Sequence, residues 1–314
     1  MLRTLGILAF ATTAAVASAQ SDRAQPDLRQ AAALSEQALD YQQHGHPVEA
    51  VELYTRALQL RERQLGPHHP DVAAALNNLG VALRLDGHPA DADLAFRRAL
   101  SIAEECFDQR LLATVLGGLG ANLVDEGELD RAEPVLRRSL SLFEKSAGPE
   151  SIEAGEAGNN LAMLYRSAGK LALAQEQMEH SLPVLQQHIA QIPQEFAKAL
   201  NGMFVILVEQ NDWDHAEPHL REALEIGAQV FPESIQMAEF RENLALLAAH
   251  RGEFQAAAAL QGDAIAQKQQ LLGSMDPQLA ESLDAYSTYL KKINQKSEAK
   301  RAEARAKEIR KTFQ

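Results

Sequence analysis

Small and apolar positions along the chain recur in blocks about 42 residues long. Glycine or asparagine stands at seven positions spaced by 42, 40, 42, 42, 41 and 42 residues: Gly45, Gly87, Gly127, Gly169, Asn211, Gly252 and Asn294. Both residue types tolerate the positive φ of a tight turn at the end of a helix. Alanine follows each of them by five residues, and alanine or serine follows by twelve. The pattern predicts a helix-turn-helix unit that is repeated seven times.

The positions before each turn complete this pattern. Seven residues before the turn lies a small residue in six of the seven blocks, and Phe204 is the exception. Small residues on both sides of a turn indicate two antiparallel helices that approach closely. Val, Ile and Thr form no alternating runs, so nothing predicts a strand. We therefore expect an all-α chain, with Pro183 kinking the second helix of the fourth block.

Three stretches of sequence give the pattern a family resemblance. They are Leu76-Asn77-Asn78-Leu79-Gly80, the segment 65–73 (LGPHHPDVA) and Gly158-Asn159-Asn160-Leu161-Ala162. Together with the period near 42, they resemble the tetratricopeptide repeat of the kinesin light chain type, over about residues 29–314. The resemblance implies a right-handed α-solenoid of about seven helix-turn-helix repeats, in which the first helix of each repeat lines a concave binding surface. Gln261 departs from the pattern, because an apolar residue is usual at its position.

The two ends of the chain differ from the repeats. Arg3, the uncharged stretch Leu5–Val16 and the small residues Ala17-Ser18-Ala19 predict a cleavable signal peptide over 1–19, cut after Ala19. The alternative is an N-terminal helix of the mature fold. We expect a linker over 20–28, the repeats over 29–290 and a basic capping helix over 291–314. The signal peptide predicts a periplasmic or secreted protein.

Charge excludes some classes of partner. The net charge is −13 for the chain, +6 for residues 291–314, and about −20 for residues 20–290. An acidic body repels nucleic acid and anionic lipid, so neither is an expected partner. After the signal peptide, no stretch is long and apolar enough to span a membrane. Cys106 is the single cysteine, and we expect a buried thiol and no internal disulfide.

No motif points to catalysis, a metal or a cofactor. His215 and His219 share a helix face, but no third ligand lies near them in the sequence, and we interpret them as a solvated face. His68 and His69 suit the start of a helix. Gly117-Gly118-Leu119-Gly120 lacks the strand and the lysine of a phosphate loop, and it occupies the Asn-Asn-Leu-Gly position of its repeat. We expect a protein that is not an enzyme.

Polar residues on the first helices are the candidate binding residues. Asn77 and Arg84 are two turns apart and share a face. The set of candidates is Asn77, Asn78, Arg84, Asn159, Asn160, Arg166, Asn201 and Asn243. Asparagine can pair with any peptide backbone, and arginine adds a preference for acidic groups. Alternatively, the asparagines hold adjacent repeats together.

The sequence therefore predicts an exported scaffold or adaptor that binds a peptide or protein partner in its concave groove. The first alternative is a structural or assembly protein that uses its convex face or chain ends. The second is a metal-dependent or hydrolytic enzyme. The partner's identity and the oligomeric state are left open.

Overall fold

The computed structural model describes residues 26–43 and 45–312, which form fourteen α-helices and contain no β-strand. The helices are α1 (Pro26–Gln43), α2 (Pro47–Leu65), α3 (Pro70–Leu85), α4 (Pro89–Glu105), α5 (Gln109–Asp125), α6 (Leu129–Ser146), α7 (Ile152–Ser167), α8 (Leu171–Gln187), α9 (Pro193–Glu209), α10 (Trp213–Val230), α11 (Ile235–His250), α12 (Phe254–Leu272), α13 (Gln278–Lys292) and α14 (Lys296–Thr312). The prediction of an all-α fold with seven helix-turn-helix repeats is confirmed.

The described residues begin at Pro26 and end at Thr312, so they include only part of the predicted terminal segments. The predicted signal peptide and its cleavage site after Ala19 lie outside the described residues. Helix α1 begins at Pro26, inside the segment 20–28. The basic C-terminal segment forms α14 together with the end of α13. Within the ranges 26–43 and 45–312, every helix is too short or too polar to cross a bilayer.

The seven predicted turns share one backbone geometry. All seven turn residues have positive φ, including Asn211 at 65° and Asn294 at 62°. After each turn residue, the next backbone N–H donates to the carbonyl five residues earlier, as in the 2.9 Å bond from His88 to Leu83. This bond satisfies a carbonyl that the end of the helix would leave without a partner. The turn fixes where the second helix of each repeat begins.

Small residues set the spacing between the two helices of a repeat. The alanine five residues after each turn is 0% exposed in all seven repeats. Glycines on the first helices have the same role. A Cβ added to Gly120 would lie 2.5 Å from Cγ of Leu136, and one added to Gly80 would lie 2.8 Å from Cε1 of Phe96. Gly118, on the first helix of the next repeat, approaches the same ring, and its Cβ would lie 2.5 Å from Cε1 of Phe96. The glycine run 117–120 is therefore a helix-packing feature, as predicted.

The first compact unit ends at Glu195 and contains α1 to α8. Its helices pack as four successive pairs, and each pair contacts the next through α2 and α3, α4 and α5, and α6 and α7. One apolar cluster joins four helices in turn: Leu58 of α2, Leu76 of α3, Ile102 of α4 and Val115 of α5. Each pair thus covers the apolar face of the next, as expected of a repeat protein.

The second compact unit begins at Phe196 and contains most of α9 together with α10 to α14. Two apolar clusters join these helices. The cluster around Leu290 has residues from α11 to α14, and the cluster around Leu283 has residues from α12 to α14. The indole of Trp213 at the start of α10 stacks on the ring of His250 at the end of α11, with centroids 3.8 Å apart and planes 8° apart. The Trp213 Nε1 donates to Asn211 Oδ1 at 3.1 Å.

Three residues that depart from the regular sequence pattern have the following places in the structure. Helix α8 is assigned as one helix from Leu171 to Gln187, through Pro183. Phe204, the exception to the small-residue rule, is fully buried in α9. Cys106 is partly exposed rather than buried, with its Sγ 3.7 Å from the carbonyl oxygen of His68. Phe107, which follows it, is 91% exposed and has a φ of 56°.

Two glycine substitutions test the close helix contacts. We expect Gly118→Ala to lower the free energy of unfolding by about 1–3 kcal/mol, because the new methyl group collides with the fully buried Phe96 ring. Gly262→Ala is the matched control, since its Cβ would meet nothing closer than Tyr286 at 3.7 Å. This helical position should gain about 0.5–1 kcal/mol. Urea denaturation of both variants measures the difference, and equal effects would contradict the packing account.

Candidate functional site

The predicted binding residues lie on the first helices of the repeats, and most of them are buried. We call the partly exposed stripe of a first helix its first-helix face. This stripe contains Asn78 and Arg84 on α3, and Glu239, Glu242 and Leu246 on α11. Five asparagines and one arginine are at most 8% exposed: Asn77, Asn159, Asn160, Asn201, Asn243 and Arg166. Asn78 and Arg84 are partly exposed. Six of the eight candidates therefore offer little surface to a ligand.

In the first unit, polar side chains connect neighbouring repeats. Arg84 Nη1 on α3 forms an ion pair with Asp125 Oδ2 on α5 at 2.6 Å, and only 7% of the arginine side chain is exposed. Asn122, which the sequence analysis did not select, donates from Nδ2 to the carbonyl oxygen of Pro89 at 3.1 Å. Asn77 Oδ1 lies 3.0 Å from where a Cβ of Gly118 would be. Arg84 is thus already engaged by a carboxylate of the protein itself.

In the second unit, an asparagine pair has the same role. Asn243 Nδ2 on α11 donates to Asn201 Oδ1 on α9 at 2.7 Å, and both residues are buried. A buried amide pair of this kind holds two helices in one register. The contact supports the alternative that asparagines hold adjacent repeats together. A role of the eight residues in peptide binding remains a prediction.

The second unit also contains a largely buried polar network. It includes Gln261, which stands where an apolar residue is usual in the repeat. The carboxylate of Glu242 on α11 accepts from Lys268 Nζ at 2.7 Å and from Gln261 Nε2 at 3.0 Å, both on α12. It also accepts from the hydroxyl of Ser282 on α13. Exposure is 6% for the side chain of Lys268 and 21% for that of Glu242. One carboxylate therefore binds side chains from two other helices.

The repeat register shows that this network is specific to the sixth repeat. Gln261 lies nine residues after its turn, where the five preceding repeats have large apolar residues: Tyr54, Phe96, Leu136, Met178 and Leu220. Lys268 lies sixteen residues after the turn, where the second to fifth repeats have Ala103, Phe143, Leu185 and Gly227. Gln261 was visible as a departure from the pattern. The first and seventh repeats have Arg61 and Arg310 at the position of Lys268, so a basic residue there does not by itself mark the sixth repeat.

Glu239 lies one helical turn before Glu242 on the same face. Its side chain is partly buried, and none of the described residues forms a hydrogen bond or ion pair with it. Burial raises the pKa of Glu239 from 4.5 to about 7, against the opposing effect of the nearby Lys268, while the charge of Glu242 raises it further. A recessed carboxylate without a hydrogen-bond donor is costly, and such groups concentrate at functional sites.

The histidine positions have local structural contacts. His69 Nδ1 accepts from the backbone N–H of Asp71 at 3.1 Å and caps α3, as expected for the start of a helix. His215 Nδ1 lies 2.8 Å from Asp212 Oδ1, and burial lowers the pKa of His219. The described part of the chain contains no group of three or more side chains suited to hold a metal ion.

The raised pKa of Glu239 gives a pH dependence of stability. The folded state holds the Glu239 proton up to about pH 7, whereas the unfolded chain releases it near pH 4.5. Stability from this residue is therefore highest below pH 4.5 and falls as the pH rises through 7. We expect Glu239→Gln to have wild-type stability at pH 5 and to be more stable by about 1–3 kcal/mol at pH 8.

Urea unfolding of both proteins at the two pH values measures this difference. Glu233→Gln, at an exposed position in the loop before α11, is the control and should leave the pH dependence unchanged. A Glu239→Gln variant that is no more stable than wild type at pH 8 would contradict the assignment.

Known proteins resemble this chain in both sequence and fold. The family model of the tetratricopeptide repeat matches residues 27–105, 111–187 and 202–270. Protein KINESIN LIGHT CHAIN-RELATED 3 of Arabidopsis thaliana is 26% identical over 144 residues, which are 46% of this chain and 22% of that protein. This chain therefore matches less than a quarter of the length of that relative.

Two solved structures show the same fold. A Rap protein complexed with competence and sporulation factor superposes with a TM-score of 0.71 at 14% identity, covering 92% of this chain and 77% of that one. A putative kinesin light chain from Podosopora anserina with nearly identical repeats gives 0.51 at 18% identity, covering 65% and 97%. The repeats are similar to those of these kinesin light chain proteins. With the family model matched over most of its length, the chain belongs to the tetratricopeptide repeat family.

Proposed function

We propose that this protein is an exported interaction module that binds a peptide or protein partner on the first-helix faces of its repeats. Catalysis and a cofactor have no part in this function. Tetratricopeptide repeat proteins act as protein-interaction scaffolds, which is the general support for the proposal. The match to a Rap protein solved with a bound signalling factor adds a structural precedent for ligand binding in this fold.

The observation that carries the proposal is the polar network on the first-helix face of the second unit. A buried lysine–glutamate pair costs more desolvation free energy than apolar residues at the same register positions would. Five other repeats pack with an apolar residue where the sixth has Gln261. The network therefore fixes the carboxylate of Glu242 at a surface that remains partly exposed. Such pre-organisation is what a binding site needs.

The asparagines and arginines have a supporting role in this proposal. Asn201 and Asn243 hold two neighbouring first helices in register, and Asn78 is the asparagine among the candidates that is partly exposed to a partner. Rigid spacing of the first helices keeps the contacts of a bound peptide at fixed intervals. The preference for acidic partners that two arginines suggested loses support, because Arg84 is paired with Asp125 and Arg166 is buried.

A second candidate function is assembly through the second helices. Three large apolar residues of the first unit are strongly exposed: Val48 at 63% and Leu94 at 67%, on α2 and α4, and Phe107 at 91%, in the loop after α4. Exposed apolar residues of this size are characteristic of protein contact surfaces when they lie together. A partner that bound there would leave the first-helix faces open.

One pair of leucine variants separates the two functions. Leu246 is partly exposed on α11, one turn after Glu242, and Leu94 is exposed on α4. We expect Leu246→Asp to reduce partner capture at least tenfold, because a carboxylate would be buried under the ligand, and Leu94→Asp to leave it unchanged. Affinity capture from extracts of the source cells, quantified by mass spectrometry, measures both. The reverse result would favour assembly through the second helices, provided both variants keep wild-type helicity.

Export has its own test. The proposed signal peptide requires removal of residues 1–19, so the protein isolated from the source cells should begin at Gln20. N-terminal sequencing of the protein from the cell-envelope and external fractions checks this. Recovery of the protein with Met1 or Leu2 at its N-terminus, in the cytoplasmic fraction alone, would overturn the proposal of export and leave the binding proposal untouched.

A further inference from the structure

The outer side of helix α14 carries a row of lysines. One side of this helix, which includes Ile309, is buried in the apolar clusters of the second unit. The opposite side is exposed and forms what we call the basic stripe: Lys296, Lys300, Ala304, Lys307 and Lys311. Within the ranges that the structure describes, none of these four lysines has an ion-pair partner. The segment 291–314 has a net charge of +6, so the stripe lies in a part of the chain with excess positive charge.

The lysines of the stripe are arranged unfavourably for a helix that only caps the repeats. A terminal repeat requires a polar outer surface, which charges of both signs would supply equally well. Lys296 and Lys300 are four residues apart, as are Lys307 and Lys311, and like charges at this spacing destabilise a helix. Lys296 also lies in the first turn, where the helix dipole disfavours a cation. Glu303, which is close to Lys300, already accepts hydrogen bonds from two side chains of α13. An anionic surface docked on the stripe would offset this repulsion.

The turns of the second and third repeats carry the opposite charge. Residues 84–97 and 122–131 contain seven acidic and three basic side chains, a net charge of −4. The three arginines each pair with one carboxylate: Arg84 with Asp125, Arg97 with Asp93, and Arg131 with Glu128. The other four carboxylates have no lysine or arginine partner among the described residues. We call these four residues the acidic turn patch: Asp86, Asp91, Glu126 and Asp130.

The two turns lie side by side and also expose apolar side chains. The ion pair between Arg84 and Asp125, at 2.6 Å, joins the end of α3 to the end of α5. Burial raises the pKa of Glu126, and the charges of neighbouring carboxylates from both repeats raise it further. Leu85 is 47% exposed and Leu94 is 67% exposed, each next to an aspartate in the sequence. The aliphatic stem of a lysine can pack on such a leucine while its ammonium group reaches a carboxylate.

The basic stripe suits a protein surface better than a membrane surface. A helix that inserts into a bilayer needs an apolar side that faces the lipid, and the apolar side of α14 is already buried. The charge of about −20 over residues 20–290 also opposes approach to anionic lipid. Lys300 and Lys311 are about 16 Å apart along the helix axis. Neighbouring helices pack about 8–10 Å apart, so the stripe is long enough to reach both turns of the acidic patch.

We propose that the basic stripe of one copy of this protein docks on the acidic turn patch of a second copy. Opposite charges guide the two copies together, and added salt weakens the contact because it screens exposed charges. The two surfaces lie on different parts of the chain, so each copy binds two others, and the assembly either extends or closes into a ring. This contact leaves the first-helix faces open, and it therefore adds self-assembly to the proposed function.

Two charge-reversed forms of the full chain test the contact. The stripe variant replaces three lysines by glutamate: Lys300→Glu, Lys307→Glu and Lys311→Glu. The patch variant replaces three exposed carboxylates by lysine: Asp91→Lys, Glu126→Lys and Asp130→Lys. The control has the same change in net charge as the stripe variant, at exposed cations outside both surfaces: Arg56→Glu, Arg63→Glu and Lys145→Glu. Analytical ultracentrifugation measures self-association at about 0.02 M and about 0.5 M salt, and circular dichroism checks that each variant is helical.

The expected result depends on mixing the two reversed forms. Wild type associates with rising concentration at the lower salt and dissociates at the higher salt. The stripe variant and the patch variant each raise the dissociation constant about tenfold or more when studied alone, because both of their surfaces then have the same sign. An equimolar mixture of the two associates again, since each form supplies the complement of the other. The control associates at least as strongly as wild type.

Three results would overturn the proposed contact. The first is a wild type that stays monomeric at the lower salt, and the second is a stripe variant that associates as wild type does. The third is a mixture of the two reversed forms that remains monomeric although both are helical. A monomeric wild type that sediments with phosphatidylglycerol vesicles, while the stripe variant does not, would assign the stripe to a lipid surface instead. Partner capture through Leu246 is measured separately, so these results leave the proposed function intact.

Discussion

The close approach of two helices within each repeat is the contact on which the other contacts of this protein depend. An isolated helical hairpin of this length cannot bury its apolar face, so each repeat is stable only against its neighbours. The hairpin packs closely because alanine occupies the same buried position after all seven turns. Where the first helix has glycine, as at Gly80, the large ring of Phe96 on the second helix fits against its backbone. The space between helices therefore leaves no room for even one additional methyl group at these points.

That constraint explains why so much of the fold could be predicted from the sequence. A turn that requires positive φ admits few residue types, and Asn211 and Asn294 take this conformation as the glycines do. A position that admits only a small side chain is equally restricted. Requirements that recur at a fixed interval produce a visible pattern, so the number of repeats and the turn positions followed directly. Phe204 departs from the small-residue rule and is fully buried in α9, while Pro183 lies at an exposed position of α8.

The candidate site was much less predictable, for a physical reason. Asn77 and Asn159 share a register position, but the sequence does not show on which side of that position the neighbouring helix lies. Both proved to be buried. The network of Glu242, Lys268 and Ser282 brings together residues up to 40 positions apart on three helices. It occurs once in the chain, so periodicity could not reveal it. The polar Gln261, at a position where five other repeats have a large apolar residue, was the indication in the sequence.

Polar residues thus have two distinct uses between these repeats. Asn243 with Asn201, and Arg84 with Asp125, are neighbouring pairs that link one first helix to the next. Glu242 instead gathers donors from α12 and α13 and leaves its neighbour Glu239 without one. The first use links neighbouring first helices, and the second places a carboxyl group without a hydrogen-bond donor beside a paired carboxylate on α11. In a repeat protein, such an irregular position distinguishes one repeat from the others.

The stack of Trp213 on His250 has a practical consequence for spectroscopy. Trp213 is the single tryptophan of the chain, and it contacts the end of α11 while its indole nitrogen is bonded to the turn residue Asn211. Its emission therefore reports on the junction of the fifth and sixth repeats alone, whereas circular dichroism averages over every helix. Melting curves recorded by the two methods will coincide only if the repeats unfold together. A difference between the curves would measure directly how far cooperativity extends along the chain.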